Sequence, residues 1–141
     1  MSVLAKGTNI DSKDGIYVAH KMAAVKIYQG ALVNINAAGF VDNCADGMTG
    51  AFFAGVAVET VDNSAGAAGD KYIRVQKVGI VKLPCSGMAQ ADVGTPVLAS
   101  DNNTVTKTSA AGRAVVGPIV EFESATAVWV KLQTEVAVAT S

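Results

Sequence analysis

The sequence predicts an all-β domain, a compact barrel or sandwich of short strands, and three observations favour that class. Short apolar runs rich in Val and Ile recur from Ile16 onward. Turn residues separate these runs at regular intervals, as at Ala38-Gly39, Asp46-Gly47 and Asp101-Asn102-Asn103. Helical periodicity is weak. Many short strands with this spacing are typical of sandwiches and barrels.

Individual strands are predicted from alternating apolar and polar residues, which is clearest in Tyr72–Val78 and Val128–Leu132. One short helix is predicted between Ser86 and Gly94, and a helix over Tyr17–Lys26 stays an alternative because Ala is a good helix former. The predicted strands are Tyr17–Ala24, Ala31–Asn36, Phe40–Asp42, Phe52–Val61, Tyr72–Leu83, Thr95–Ala99, Thr104–Lys107, Ala114–Phe122 and Ala127–Leu132.

The chain of 141 residues predicts one domain with two terminal extensions. Residues 1–15 are polar and lack periodicity, so we predict an N-terminal arm that is flexible unless a partner orders it. Residues 16–134 are the predicted β-barrel domain, and residues 135–141 are a C-terminal tail. Within the domain, residues 62–70 are rich in Gly and Ala and predict a flexible loop.

The two halves of the domain resemble each other weakly. Gly30-Ala-Leu-Val and Gly55-Val-Ala-Val-Glu59 in the first half parallel Gly94-Thr-Pro-Val-Leu and Gly117-Pro-Ile-Val-Glu121 in the second. A duplicated hairpin unit that closes a barrel predicts this pattern. Any β-meander rich in Gly and Val predicts it as well, so both interpretations stay open.

Charge is scarce in this chain, and its scarcity limits the function classes. Only 16% of residues are charged, against about 25% in an ordinary soluble domain. The net charge of −1 argues against nucleic-acid binding. The longest uncharged run, Ile27–Val41, is too short and too polar to predict a membrane span, and no secretory signal is visible. Low charge is typical of surfaces that other proteins cover.

Residues that could catalyse a reaction or bind a metal ion occur singly or without the spacing of a known motif. His20 is the only histidine and is predicted to be a strand residue. Cys44 and Cys85 lack metal-site spacing and are predicted to be buried small hydrophobes, with a nucleophile and resolving thiol as the alternative. Glu59 and Glu121 suggest the paired carboxylates of a glycosidase. Glycosidases usually also bind the sugar on aromatic residues, and this chain has a single Trp. We predict no catalytic residues, no metal and no cofactor.

Five glycine- and valine-rich segments carry a resemblance to a known family. They are Gly30-Ala-Leu-Val, Gly55-Val-Ala-Val, Val78-Gly79-Ile-Val-Lys-Leu, Gly94-Thr-Pro-Val-Leu and Val116-Gly117-Pro-Ile-Val. In this order and spacing the chain, over roughly residues 15–132, resembles the phage capsid cement, or head decoration, proteins. It departs from their pattern in the loop at 62–70 and in its two cysteines.

The resemblance implies a structural β-barrel protein of the virion that has no catalytic activity. Such a protein is made in the host cytoplasm and binds the outer surface of the expanded capsid. Its implied partners are the major capsid protein and further copies of itself, as a homotrimer, with neither nucleic acid nor membrane. Alternatives are another virion β-module, such as a head-fibre base or tail-tube subunit, and, more weakly, a small carbohydrate-binding or hydrolase domain around Glu59, Glu121 and Trp129.

Candidate contact residues lie in the arm and on two strands. We expect Tyr72 and Trp129 to be either core residues or anchors of a subunit interface, and the core is favoured for both. From the arm we expect contacts to the capsid or to a neighbouring subunit by Ser2, Val3, Leu4, Lys6, Thr8 and Ile10.

Overall fold

The computed structural model describes residues 16–45, 47, 52–110 and 112–134, and these residues form an almost entirely β structure. A single 3-10 helical turn spans Gln90–Asp92. The described strands are β1 (Tyr17–Lys21), β2 (Lys26–Ile27), β3 (Leu32–Ile35), β4 (Val41–Asn43), β5 (Phe52–Ala57), β6 (Val61–Asp62), β7 (Tyr72–Gln76), β8 (Ile80–Pro84), β9 (Pro96–Ala99), β10 (Val105–Thr106), β11 (Val115–Ser124) and β12 (Ala127–Lys131).

The strands form two five-stranded antiparallel sheets and one small ribbon. The first sheet has the order β1-β7-β5-β3-β4, and the second has the order β8-β12-β11-β9-β10. Strands β2 and β6 pair separately. Apart from the ribbon strands β2 and β6, each half contributes five strands. When these five are numbered along the chain within each half, they lie in the same order in both sheets. The topology therefore supports a duplicated unit over a simple meander.

Hydrogen bonds at equivalent places support the duplication. In the first half, Gly30 N–H donates to the carbonyl of Ala57 at 2.8 Å. In the second half, Gly94 N–H donates to the carbonyl of Ile119 at 2.7 Å. Each glycine has a positive φ and leads into the second strand of its sheet. The sequence similarity between the halves thus reflects a repeated backbone geometry.

A β-bulge also occurs at the same place in each half. Gly55 in β5 lies opposite Val33, and Gly117 in β11 lies opposite Val97. The residue before each glycine, Ala54 or Val116, is the extra residue of the bulge and is fully buried. Bulges bend a strand and increase its twist, so this shared feature helps each sheet to curl.

Two hydrophobic clusters form the core. The first lies on one face of the first sheet and includes Ile73 and Val75, with Ile27 of the β2–β6 ribbon packed against it. The second belongs mainly to the second sheet, and Leu32 and Phe53 from the other face of the first sheet join it. The central strands of the first sheet are therefore buried on both faces, which joins the halves into one body.

Most predicted strands are confirmed, but two predicted ranges each contain a break. The range Tyr72–Leu83 is two strands, because the chain turns at Lys77–Gly79, where Gly79 has a φ of +120°. The range Phe52–Val61 ends as a strand at Ala57, and Val61 belongs to the separate ribbon. The helix considered for Tyr17–Lys26 is wrong, since Tyr17–Lys21 pairs with β7.

The loop at 62–70 is held together by hydrogen bonds. Asn63 is buried, and its Nδ2 donates to the carbonyls of Ala23 at 3.1 Å and Ala67 at 3.0 Å. The Asp70 carboxylate accepts from the Ala67 N–H at 2.9 Å. Asn63 therefore fixes the loop against the body of the first half.

The predicted arm at 1–15 and tail at 135–141 lie outside the described residues. Within the described residues, no helix has the length and apolar character needed to span a membrane.

Candidate interaction surface

Both ends of the described body meet at Lys77. The N–H of Lys77 donates to the carbonyl of Ile16 at 2.8 Å, just before β1 begins. The hydroxyl of Thr134 donates to the Lys77 carbonyl at 3.3 Å, shortly after β12 ends. Residues 1–15 and residues 135–141 therefore join the described body at the same place on its surface.

Four exposed apolar residues lie in the segments next to this meeting point, and we name them the terminal patch: Ile16, Tyr17, Val78 and Ile80. Tyr17 pairs with Gln76, whose side-chain amide donates to the Val78 carbonyl at 2.9 Å. Ile80 begins β8 two residues later. Exposed apolar residues from neighbouring segments make this place a candidate binding surface.

A half-buried tryptophan extends this surface across the second sheet. Trp129 Nε1 donates to Glu123 Oε1 at 3.4 Å, and Lys82 Nζ donates to Glu123 Oε2 at 3.1 Å. The Lys82 ammonium also lies 6.0 Å from the centre of the Trp129 ring. Exposed ion pairs add little stability. Here the pair holds the indole in one orientation, and an aromatic anchor with a polar rim is typical of protein interfaces.

Tyr72 lies in the first sheet opposite Lys21 of the edge strand β1, on the face turned away from Ile73 and Val75. Its ring is exposed, and beside it the Arg74 N–H donates to Glu59 Oε2 at 2.9 Å. This exposed part of the first sheet thus combines an aromatic ring with charged groups, as the surface around Trp129 does.

The prediction that Tyr72 and Trp129 belong to the core is wrong. Side chains alternate between the faces of a strand. Ile73 and Val75 fill the first core cluster, so Tyr72 must face outward. Val128 and Val130 fill the second cluster in the same way and place Trp129 on the outside. Their alternative role as interface anchors stays a prediction.

The two cysteines are free and buried, as predicted. Cys44 Sγ donates to Asn34 Oδ1 at 3.0 Å. Burial, with Asp101 and Asp42 nearby, raises the pKa of the Cys44 thiol, and burial also raises the pKa of Cys85. Thiolates are the reactive form of cysteine. This environment argues against a nucleophile and resolving pair.

The other chemical candidates have ordinary structural partners. The Glu59 carboxylate lies against Arg74, with 3.8 Å between Oε2 and Nε, whereas Glu121 is paired with Trp129 on the second sheet. His20 lies in β1, where its Nε2 is 3.1 Å from Lys77 Nζ. Glu59 thus follows β5 in the first half and Glu121 lies within β11 in the second half, each with its own neighbour.

Among the described residues, no three His, Cys, Asp or Glu side chains are grouped so that they would bind a metal ion. The predicted arm contacts, Ser2 to Ile10, lie outside those residues. A scan against protein-family models and searches of curated proteins and of solved structures returned no match.

Proposed function

We propose that this protein is a structural component of a phage virion, which binds the outer surface of the expanded capsid and stabilises it. Its partners in this proposal are the major capsid protein and other copies of itself in a homotrimer. The observation that carries the proposal is the terminal patch, where exposed apolar residues lie next to the point at which residues 1–15 and 135–141 join the body.

Composition supports an adhesive role for this surface. Only 16% of the residues are charged. Interface cores are depleted of charge and enriched in aromatic residues. The exposed surfaces of the two sheets supply Tyr72 and Trp129, each near an ion pair. Such a surface excludes water over its apolar part and keeps polar groups at its rim.

A ligand that binds only the expanded shell stabilises that shell by mass action. Three linked subunits hold the lattice more tightly than one, because each bound subunit raises the effective concentration of the next. The arm at residues 1–15 would add contacts of its own. Main-chain hydrogen bonds formed by an added strand would then offset the entropy lost as the arm becomes ordered.

Electron microscopy of virions that carry a labelled copy of the protein tests the location. We expect label distributed over the outside of the head. Label on the tail alone would exclude the proposal and favour a tail-tube subunit. Label at only one vertex or on fibres would favour a head-fibre base.

A further inference from the structure

An open cleft lies between the two halves of the molecule, away from the strands discussed above. The turn that precedes β3 forms one wall, and the turn between β9 and β10 forms the other. Its volume is about 310 Å³, at the lower end of the range for small-molecule sites. The residues that line it are Tyr28, Gln29, Gly30, Ala31, Asn102 and Asn103.

Hydrogen bonds fix both walls of this cleft. Gln29 N–H donates to the Thr60 hydroxyl at 2.8 Å on the first wall. On the second wall, the Asn102 carbonyl accepts from the Leu32 N–H at 2.8 Å, and Asn102 Nδ2 donates to Asn43 Oδ1 at 3.1 Å. These bonds fix the backbone of both walls, so the backbone loses little conformational entropy when a ligand binds.

The lining offers an aromatic ring and amides without any charged side chain. The Tyr28 ring is 58% exposed, and the Lys26 ammonium, 4.7 Å from the ring centre, holds it through a cation–π contact. The side-chain amides of Gln29 and Asn103 have no hydrogen-bond partner within the part of the chain that is described. Each of these amides is both a donor and an acceptor.

We propose that this cleft binds a neutral carbohydrate unit. A sugar has hydroxyl groups that donate and accept in alternation, and free amides match both roles. The apolar face of a sugar ring packs on an aromatic side chain, for which Tyr28 is exposed. None of the six lining residues carries a charge that could pair with an anionic sugar, so the lining matches a neutral one. The binding is weak and reversible, since the cleft is open.

Saturation-transfer NMR with glucose, galactose, mannose and N-acetylglucosamine, each at millimolar concentration, tests this proposal. We expect at least one of these sugars to receive saturation from the native protein. Tyr28→Ala should abolish that signal. Tyr72→Ala is the matched control, because Tyr72 is 56% exposed and lies outside the cleft, and it should leave the signal unchanged.

Two further measurements make the result decisive. Thermal unfolding of each variant establishes that it is folded, which we expect because Tyr28 and Asn103 lack a core role. Asn103→Ala should weaken the same sugar's signal several-fold. If none of the four sugars receives saturation, or if Tyr28→Ala and Tyr72→Ala affect the signal equally, the proposal is wrong.

Discussion

Gly55 and Gly117 occupy the same position in the two halves, and each packs its Cα against a carbonyl of the neighbouring strand. Gly55 lies against the Gln76 carbonyl and Gly117 against the Lys131 carbonyl. Both have a positive φ, of 140° and 149°. No Cβ fits in either place. The repeated unit therefore depends on a glycine at its bulge, which explains why the two sequence segments are similar around it.

Gly55→Ala and Gly117→Ala should each destabilise the protein by about 2–5 kcal/mol, because the added methyl group must displace backbone and the φ is unfavourable. Gly39→Ala is the control: its φ is +90°, but its Cβ would lie in open space. It should cost only about 1–2 kcal/mol, the conformational penalty alone. Urea unfolding measures all three, and equal losses would contradict the role of close approach.

The buried Cys44 thiol predicts a loss of stability at alkaline pH. Its pKa in the folded protein is raised above the ordinary value of 9.0. Above pH 9 the unfolded chain therefore loses a proton that the folded chain keeps, so stability falls as pH rises. One such group contributes about 1.4 kcal/mol per pH unit.

Chemical denaturation between pH 8 and pH 11 measures this dependence, with Cys44→Ala as the comparison (about three pH units suffice for one titrating group). The variant should lose the part of the alkaline slope that Cys44 contributes, because the two proteins differ only at this residue. Native protein should also resist iodoacetamide at pH 8. Parallel slopes in the two proteins would show that Cys44 titrates as freely as in the unfolded chain.

Ile80→Asp tests the terminal patch. Ile80 is exposed, so the substitution should change the free energy of unfolding by no more than about 0.5 kcal/mol. It should weaken binding to capsids by about tenfold or more, because it places a charge within an apolar contact. Val93→Asp is the control, since Val93 is an exposed apolar residue outside the patch. Equal affinities for the two variants would exclude the patch from the interface.

Deletion of residues 2–15 tests the arm. Capsid binding should weaken, because the contacts expected from Val3, Leu4 and Ile10 are removed. The melting temperature should stay nearly unchanged, because residues of the described body between Met22 and Leu132 supply two complete hydrophobic clusters. A large fall in melting temperature would mean that the arm is part of the folded core.

Much of the fold follows from local patterns in the sequence. The alternation in Tyr72–Gln76 and Ala127–Lys131 predicts strands correctly, and the same alternation places Tyr72 and Trp129 outside once Ile73 and Val128 are assigned to the core. The large aromatic side chains of Tyr72 and Trp129 favour burial. The alternation of side chains along each strand places them outside nevertheless, because their neighbours occupy the core.

Other features depend on contacts between distant residues and have weak local signals. The turn at Lys77–Gly79 interrupts a strand-like segment in which only Gly79 indicates a break. The two strands of the β2–β6 ribbon have two residues each, too few to show a period. Ile16 and Thr134 meet at Lys77, beside the terminal patch, only after both sheets have formed.

Co-sedimentation with empty heads of the proposed parent phage tests the proposed adhesion to the capsid most directly. The protein should pellet with expanded heads in saturable amounts and remain in the supernatant with unexpanded heads. It should also raise the temperature at which the expanded heads break open. If the folded protein stays in the supernatant with expanded heads, it does not act as a capsid-stabilising protein.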